Sequence, residues 1–525
     1  MSQQASLKHR VQQPLRFAAS VVALGLLAAG CSDSGAPTEQ IASGDQLTVV
    51  ANAAVYTLDE AEPWAEAFVY HADGVIIMVG DEADALISAR DDAVVINAGA
   101  NMVMPGFQDS HVHVPEAGIN EGLCFLPAGL SLVKYETLAA ECADDQWVRA
   151  TGPSLFALRD TEESPLDVLD RAIPDRPALI LDDLGHAVWT NSLGLAAAGI
   201  DADSPDPLGG VLHRDSSGRL TGLLLEDAQH LVRNAAKPAD AVVDAGLQVA
   251  MDELVRNGLT TISDAGGYWG QGHVDAWLRT DANDQLTVRA VNSLYLYPDL
   301  NFDEQIAEFE SRFNNTPSSL LRFNNAKVYI DGILDLGTAL MLAPYHKPPD
   351  PNYPSGFRYF ETELLFDYVD ALHAIGYRIN FHAIGDGANR EALSAVAAIE
   401  DTPEAIISRR HRTTHTYLVE PEDYQTFIDL GVIADFQAGP DSTDPGYHED
   451  LTEIIGDKAW DLIPTGAMLQ AGVAVTLSSD WDADPLSPLG TIETAYALGH
   501  DDDSTEVLLT VVGGREVFRI IQFEG

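Results

Sequence analysis

Positive charge is what this chain has least of. Across 525 residues, 81 Asp and Glu face 29 Lys and Arg, a formal net charge of -52. Lysine occurs only at Lys8, Lys134, Lys237, Lys327, Lys347 and Lys458. Such a surface disfavours nucleic acid and anionic lipid head groups as partners. It suits a salty medium, where self-repulsion is screened, or simply an acidic exported protein. Cysteine is nearly absent too, with Cys31, Cys124 and Cys142 the full set. Beyond residue 31 no apolar run is long enough to span a membrane, and no short-period repeat or long low-complexity tract interrupts the chain. At this length, one large barrel plus a satellite domain fits better than a single small core.

What is present begins with a targeting segment. Lys8, Arg10 and Arg16 precede an apolar stretch from Phe17 to Leu27. Leu27-Ala28-Ala29-Gly30-Cys31 then places small residues directly before a cysteine, as in the lipobox of bacterial lipoproteins; an ordinary cleaved signal peptide is the plainer reading. Cleavage before Cys31 would leave it lipidated. With Ser32 next and Asp33 one residue later, the expected address is the periplasmic face of the outer membrane. Residues 1–30 are excluded from the fold, and residues 31–45 read as a tether. The mature charge is then about -55. Only Cys124 and Cys142 remain, as a disulfide or as two buried thiols.

Hydrophobic rhythm divides the rest. Residues 46–103 carry short β-like runs (Leu47–Val50, Ala54–Leu58, Ala67–His71, Val75–Val79 and Ala93–Ile96) separated by turn signals such as Asp73-Gly74. Residues 104–498 read as the barrel, with a long insertion at about 115–255. Apolar strand candidates recur after the His111 strand at Leu259–Ala265, Thr287–Leu296, Arg322–Asp331, Tyr377–His382, Arg410–Tyr417, Val432–Gln437 and Val473–Ser478. Helical patterns at Asp252–Asn257, Glu304–Phe313, Leu364–Ile375, Ala388–Ile399, Pro421–Leu430 and Thr465–Ala471 alternate with them. Eight strand–helix units predict an α/β chain folded as a (β/α)8 TIM barrel. Residues 499–525 read as a shortened return to the β domain, which would make it a composite β-sandwich of both chain ends.

In such a barrel, chemistry sits at the C-terminal ends of strands. His111 and His113 share one strand face, because side chains alternate with period two. Neutral imidazoles are good ligands for zinc-like metals. Lys327, His382, His415 and Asp480 each fall near the end of a different apolar run. Taken singly, each histidine reads as a core residue and Asp480 as a helix N-cap; the order and spacing together read as a metal site.

Several stretches carry a resemblance to a known family. They are Met104-Pro105-Gly106-Phe107 through His113, Leu184-Gly185-His186 through Asn191-Ser192, and Gly209-Gly210 with Gly222 to Glu226. Lys327 through Asp331-Gly332 to Thr338-Ala339, His382-Ala383-Ile384-Gly385-Asp386, Arg412 to His415, and Ser479-Asp480-Trp481 follow in order. From about residue 47 to 497 the chain resembles the amidohydrolase superfamily, in its amidohydrolase-3 or YtcJ-like branch. That resemblance implies one or two divalent metals, most often zinc. His111, His113 and Asp480 would hold the first, His382 and His415 the second, with Lys327 bridging as a carbamate. An uncarboxylated Lys327 paired with Asp331 or with a substrate carboxylate is the alternative. The metal would supply hydroxide from bound water, and Asp480 would carry the proton to the leaving group. His186 and Trp189 are candidate substrate contacts in the region that caps the barrel mouth. Tyr295, Tyr297 and Tyr345 are candidate pocket residues.

Two departures stand out. Thr414 occupies a position that is usually Glu in the family, and Gln437-Ala438-Gly439-Pro440-Asp441 replaces Gln-Pro-x-His. Moreover, few residues follow Asp480, which predicts a satellite sheet with a bared edge. The expectation is a hydrolase of non-peptide C–N bonds in amide, N-formyl or cyclic amide substrates. Esterase, lactonase or isomerase chemistry at the same site, and an inactive binding lipoprotein, are the alternatives. The expected partner is a small amide-like molecule, with no nucleic acid and membrane contact only through Cys31; a homo-oligomer is left open.

Overall fold

Parallel pairing runs through all eight expected barrel strands. They are β1 (Phe107–Val112), β2 (Leu259–Gly267), β3 (Arg289–Tyr295), β4 (Leu321–Tyr329), β5 (Arg378–Ala383), β6 (Arg412–His415), β7 (Ile433–Gln437) and β8 (Val475–Ser478). Each neighbours its sequence successor in one eight-stranded sheet. The sheet nearly closes: at the C-terminal rim the Asp480 amide donates to His111 O (2.9 Å) and the His113 amide to Trp481 O (2.7 Å). This computed structural model describes residues 46–88, 92–142, 146–155, 158–159, 161–439, 444–496, 509–512 and 515–519. Cys31 and the tether lie outside them. No helix of the described residues is long and apolar enough to cross a membrane.

Helices cover the barrel where the periodicity placed them, including Phe302–Arg312, Thr362–Ile375, Asp386–Ala397 and Thr465–Ala471. A further helix, His273–Ala282, follows β2; ten residues give too weak a periodic signal to read from sequence. The crossover into β2 is Asp240–Arg256, which buries Val243, Leu247, Ala250, Met251, Leu254 and Val255 on one face, the i, i+4, i+7 stripe of a core helix. It crosses the Val114–Asn120 helix so closely that a Cβ on Gly118 would lie 1.9 Å from Gly246 O. Only glycine permits that contact, and it pins both ends of the insertion to the barrel wall.

The insertion is a structure in its own right. Its six-stranded mixed sheet runs Gly210–Arg214, Leu220–Glu226, Ala187–Thr190, Ala178–Leu181, Val148–Thr151 and Cys124–Phe125. It buries one core on each face. A disulfide joins Cys124 to Cys142, closing the choice left open by the sequence.

The N-terminal runs form a four-stranded sheet (Ile76–Gly80, Ala67–His71, Leu47–Ala51, Val94–Asn97) and a three-stranded one. The chain end departs from expectation. Leu509–Val512 and Arg515–Arg519 pair with each other as a separate hairpin, which among the described residues joins neither N-terminal sheet. It approaches β2 and the Asp240–Arg256 helix instead.

Candidate functional site

The parallel register delivers the expected residues to one rim. His111 is fully buried near the end of β1, and Asp480 follows β8. Their side chains meet, His111 Nε2 lying 3.2 Å from Asp480 Oδ1. His113 Nε2 is 3.3 Å from the same oxygen, and His415 Nδ1 is 3.7 Å from Oδ2. From β4, the buried Lys327 places Nζ 3.0 Å from His111 Nε2. From β5, the His382 ring lies 4.4 Å from that of His415. His111, His415 and Asp480 bring three ligand atoms within 4.8 Å of one another. The six candidates therefore share one locus.

The backbone there is bent to fit. His415, Thr416 and Asp480 all have positive φ (69°, 48° and 55°). Non-glycine residues take this conformation only at a penalty of about 1–3 kcal/mol, and such strain gathers at functional sites.

Acids stand behind two of the imidazoles. Asp331 Oδ1 is 3.3 Å from His382 Nδ1, while the Leu340, Ile384 and Gly385 amides fix its carboxylate. Glu116 Oε2 is 3.6 Å from His113 Nδ1, and Arg233 grips Glu116. Behind His111 stands an alcohol instead: Thr414 Oγ1, 3.0 Å from Nδ1.

The insertion supplies the facing wall. In its antiparallel sheet Ala187 pairs with Leu225, so His186 and Glu226 are the next opposed residues; the Glu226 amide donates to His186 O (2.8 Å). Their side chains meet at 2.6 Å between His186 Nδ1 and Glu226 Oε2. Tyr359 Oη donates to the same oxygen (2.6 Å) and Thr338 Oγ1 to Oε1 (2.5 Å). Glu226 itself adopts φ 54°, and Gly332 leaves room for it, since a Cβ there would sit 2.1 Å from Oε1. The His186 ring is 5.1 Å from the His382 ring. Tyr329, stacked on His382 at 4.3 Å, carries the Lys327 ammonium over its face.

Not every candidate reaches the site. Trp189, expected as a substrate contact, is fully buried in the insertion core, its indole N–H donating to Pro165 O (3.0 Å) and its ring against Tyr135. It sits three residues past His186 in a strand, hence on the opposite sheet face. Tyr345 packs in a separate cluster and donates to Ala339 O. Tyr295 and Tyr297, by contrast, belong to a buried aromatic group with Tyr268 and His230 that adjoins the site, Tyr268 stacking on His113 and Tyr295 lying against Tyr329. Tyr295 donates to Asp227 Oδ1 (2.9 Å). Lys327 does not pair with Asp331, whose carboxylate is taken by His382 and three amides. Glu226 ends the Gly222 to Glu226 stretch and Glu116 follows His113 by three residues; neither position declares its partner in sequence.

The electrostatics suit a cation. Burial pushes His111, His382 and His415 below the ordinary imidazole value, assisted by Lys327 for His111 and by His415 for His382; neutral imidazole is the ligating form. Burial opposes the charge of Asp480, but His415, His111 and His113 hold its carboxyl well below the usual range. Burial likewise opposes protonation of His113, yet Asp480 and Glu116 lift it to about 10, so this spot stabilises positive charge. Burial brings the Lys327 ammonium down to about 7, which makes accessible the neutral amine a carbamate requires. Buried His382 Nε2 and Asp480 Oδ1 have no hydrogen-bond partner. Ligand atoms left without hydrogen bonds in a charge-stabilising pocket fit a divalent metal.

Comparison with known proteins agrees. The model of the Amidohydrolase family matches residues 94–518. The N-substituted formamide deformylase of Arthrobacter pascens is 26% identical over 476 residues, covering 86% of this chain and 83% of that protein. The putative amidohydrolase YtcJ of Bacillus subtilis (strain 168) is 27% identical over 456 residues, covering 84% and 82%. The crystal structure of an uncharacterized metal-dependent hydrolase from Pyrococcus horikoshii OT3 superposes with a TM-score of 0.67 at 20% identity, covering 86% of both chains.

Proposed function

The chain belongs to the amidohydrolase family and is a C–N bond hydrolase; from that premise we propose that it cleaves a non-peptide amide, N-formyl or cyclic amide bond. The observation that carries this reading is the convergence of His111, His415 and Asp480 within 4.8 Å, beside a neutralisable Lys327. His111, His113 and Asp480 would hold one divalent metal, most simply zinc, and His382 and His415 a second, with carboxylated Lys327 between them. When bound, the metal would lower the pKa of a water and polarise the scissile carbonyl.

The rest falls to the protein. Asp480, kept ionised by its histidines, takes the proton of the attacking water and passes it to the leaving nitrogen. Glu226 fixes the His186 ring against the site, where it meets the substrate. The inserted sheet covers the barrel mouth and excludes water, which strengthens every charge–charge interaction beneath it. The similarity to the Arthrobacter N-substituted formamide deformylase makes N-substituted formamides the first compounds to try. The substrate is a small amide-like molecule and not nucleic acid. Lipid attachment at Cys31 would hold the enzyme at the periplasmic face of the outer membrane.

Metal content per chain, by elemental mass spectrometry on a soluble form starting at Ser32, tests the reading. About two zinc-like ions are expected, and Lys327→Ala should lower that occupancy, with partial rescue by short carboxylic acids. Full occupancy in Lys327→Ala would remove the bridge. No uptake by folded protein would overturn the metal site.

A further inference from the structure

Asp435 lies on β7, wholly buried, and takes no part in the chemistry above. Five donors converge on its carboxylate. The Thr476 hydroxyl is 2.6 Å from Oδ1, and the Ser110 hydroxyl meets the same oxygen. Oδ2 receives Ser478 Oγ (2.8 Å), Thr414 Oγ1 (3.0 Å) and Gln437 Nε2 (3.3 Å). A carboxylate only accepts, so the single Thr414 hydroxyl proton points to Asp435. The hydroxyl's two lone pairs then remain for donors. Gln437 Nε2, at 3.2 Å, is one, sharing its two hydrogens among Thr414, Asp435 and Ser478 Oγ (2.7 Å); the other neighbour is His111 Nδ1, at 3.0 Å. That contact is a hydrogen bond only if His111 carries its proton on Nδ1.

We propose that Asp435 acts through Thr414 as a positioning pair for His111, locking its proton on Nδ1 and presenting the Nε2 lone pair to the metal. The inference rests on His111 being a metal ligand, as in the reading above. It follows the neighbouring imidazoles: His382 is hydrogen-bonded by Asp331 directly, and Glu116 stands 3.6 Å from His113 Nδ1. Histidine ligands are commonly oriented by such partners, whose loss weakens metal binding about 10–100-fold. Here the acid is one strand too far away, and a hydroxyl spans the gap. Thr414 follows from register: it pairs with His382 across β5 and β6 and shares its inward face toward His111, while the positive φ at His415 breaks the alternation and brings that side chain to the same site. Asn380 fits the same scheme. Its Nδ2 is 3.3 Å from His111 Nδ1 while its Oδ1 is buried without a partner; turned over, that oxygen would accept the same N–H.

The test is zinc and cobalt(II) affinity of the full mature chain, by competition with a chromophoric chelator, together with the cobalt(II) ligand-field spectrum. Thr414→Val keeps the volume and removes the hydroxyl; affinity should fall about 10–100-fold and the spectrum should shift. Thr414→Ser, which keeps the hydroxyl, should restore both. Asp435→Asn should weaken binding, and combining it with Thr414→Val should add little, because both cut one relay. A folded Thr414→Val protein that binds both metals like the wild type, with an unchanged spectrum, overturns the relay and leaves the hydrolase reading intact. Wild-type chain that takes up no metal overturns both.

Discussion

The barrel rim and the inserted sheet meet at the same site but assemble their residues by opposite means. On the rim, Lys327, His382, His415 and Asp480 come from different parallel strands, each delivered by a crossover helix. Their spacing in sequence is wide, yet register alone sets their meeting. In the insertion, His186 and Glu226 face each other because two antiparallel strands pair Ala187 with Leu225. The rim carries concentrated charge and orphaned ligand atoms. The insertion carries a hydrogen-bonded acid–imidazole pair whose carboxylate is bonded at both oxygens. On the proposed reading, that contrast puts metal chemistry on the barrel and substrate positioning on its cover.

That division can be broken by mutation. Asp480→Asn removes the proposed proton carrier from the rim; turnover should fall roughly 10²–10⁴-fold while most metal is retained, by paired rate and metal assays. Undiminished turnover would strike Asp480 from the mechanism. Glu226→Gln replaces a charged partner of His186 by a neutral one. Loss of a charge-assisted hydrogen bond of about 1.5–3 kcal/mol predicts a fall of roughly 10–100-fold in kcat/KM, with metal content unchanged. Lost metal in that variant would mean the two regions are not separable.

The smallest expected effect lies where they touch, at Asp227 beneath Tyr295 of β3. Burial raises the Asp227 carboxyl to about 7, despite the Tyr295 hydrogen bond that lowers it. Its folded value thus exceeds the unfolded one, so the folded chain binds the extra proton. Stability contributed by the protonated acid is present below pH 4 and is lost as pH rises through about 7. Asp227→Asn should therefore gain several degrees in Tm over the wild type at pH 8 relative to pH 5. A Tm difference that does not change with pH would place the proton elsewhere.

Much of this was legible in the chain. The eight strands announced themselves as apolar runs because a parallel barrel buries both faces of each strand. His-x-His gave two ligands directly, since period two needs no tertiary knowledge. The inserted sheet was not legible in the same way: its short strands mix with turns, and pairing between them decides which faces are buried. Trp189 shows this failure. A motif placed it near His186, but strand alternation turned it into the insertion core. The chain end was not legible either: that Leu509–Val512 and Arg515–Arg519 pair with each other is decided by tertiary context, not by their local pattern.

The sequence by itself determined the barrel, the order of its candidate ligands and the acidity of its surface, because periodicity, residue chemistry and charge are local or additive properties. Only the tertiary structure decided which group stands behind each histidine: Asp331 at His382, Glu116 at His113, and Thr414 with Asp435 at His111. Those pairings depend on strand register and on distances of about 3 Å, and they join residues as far apart as His111 and Asp435, which no local pattern links.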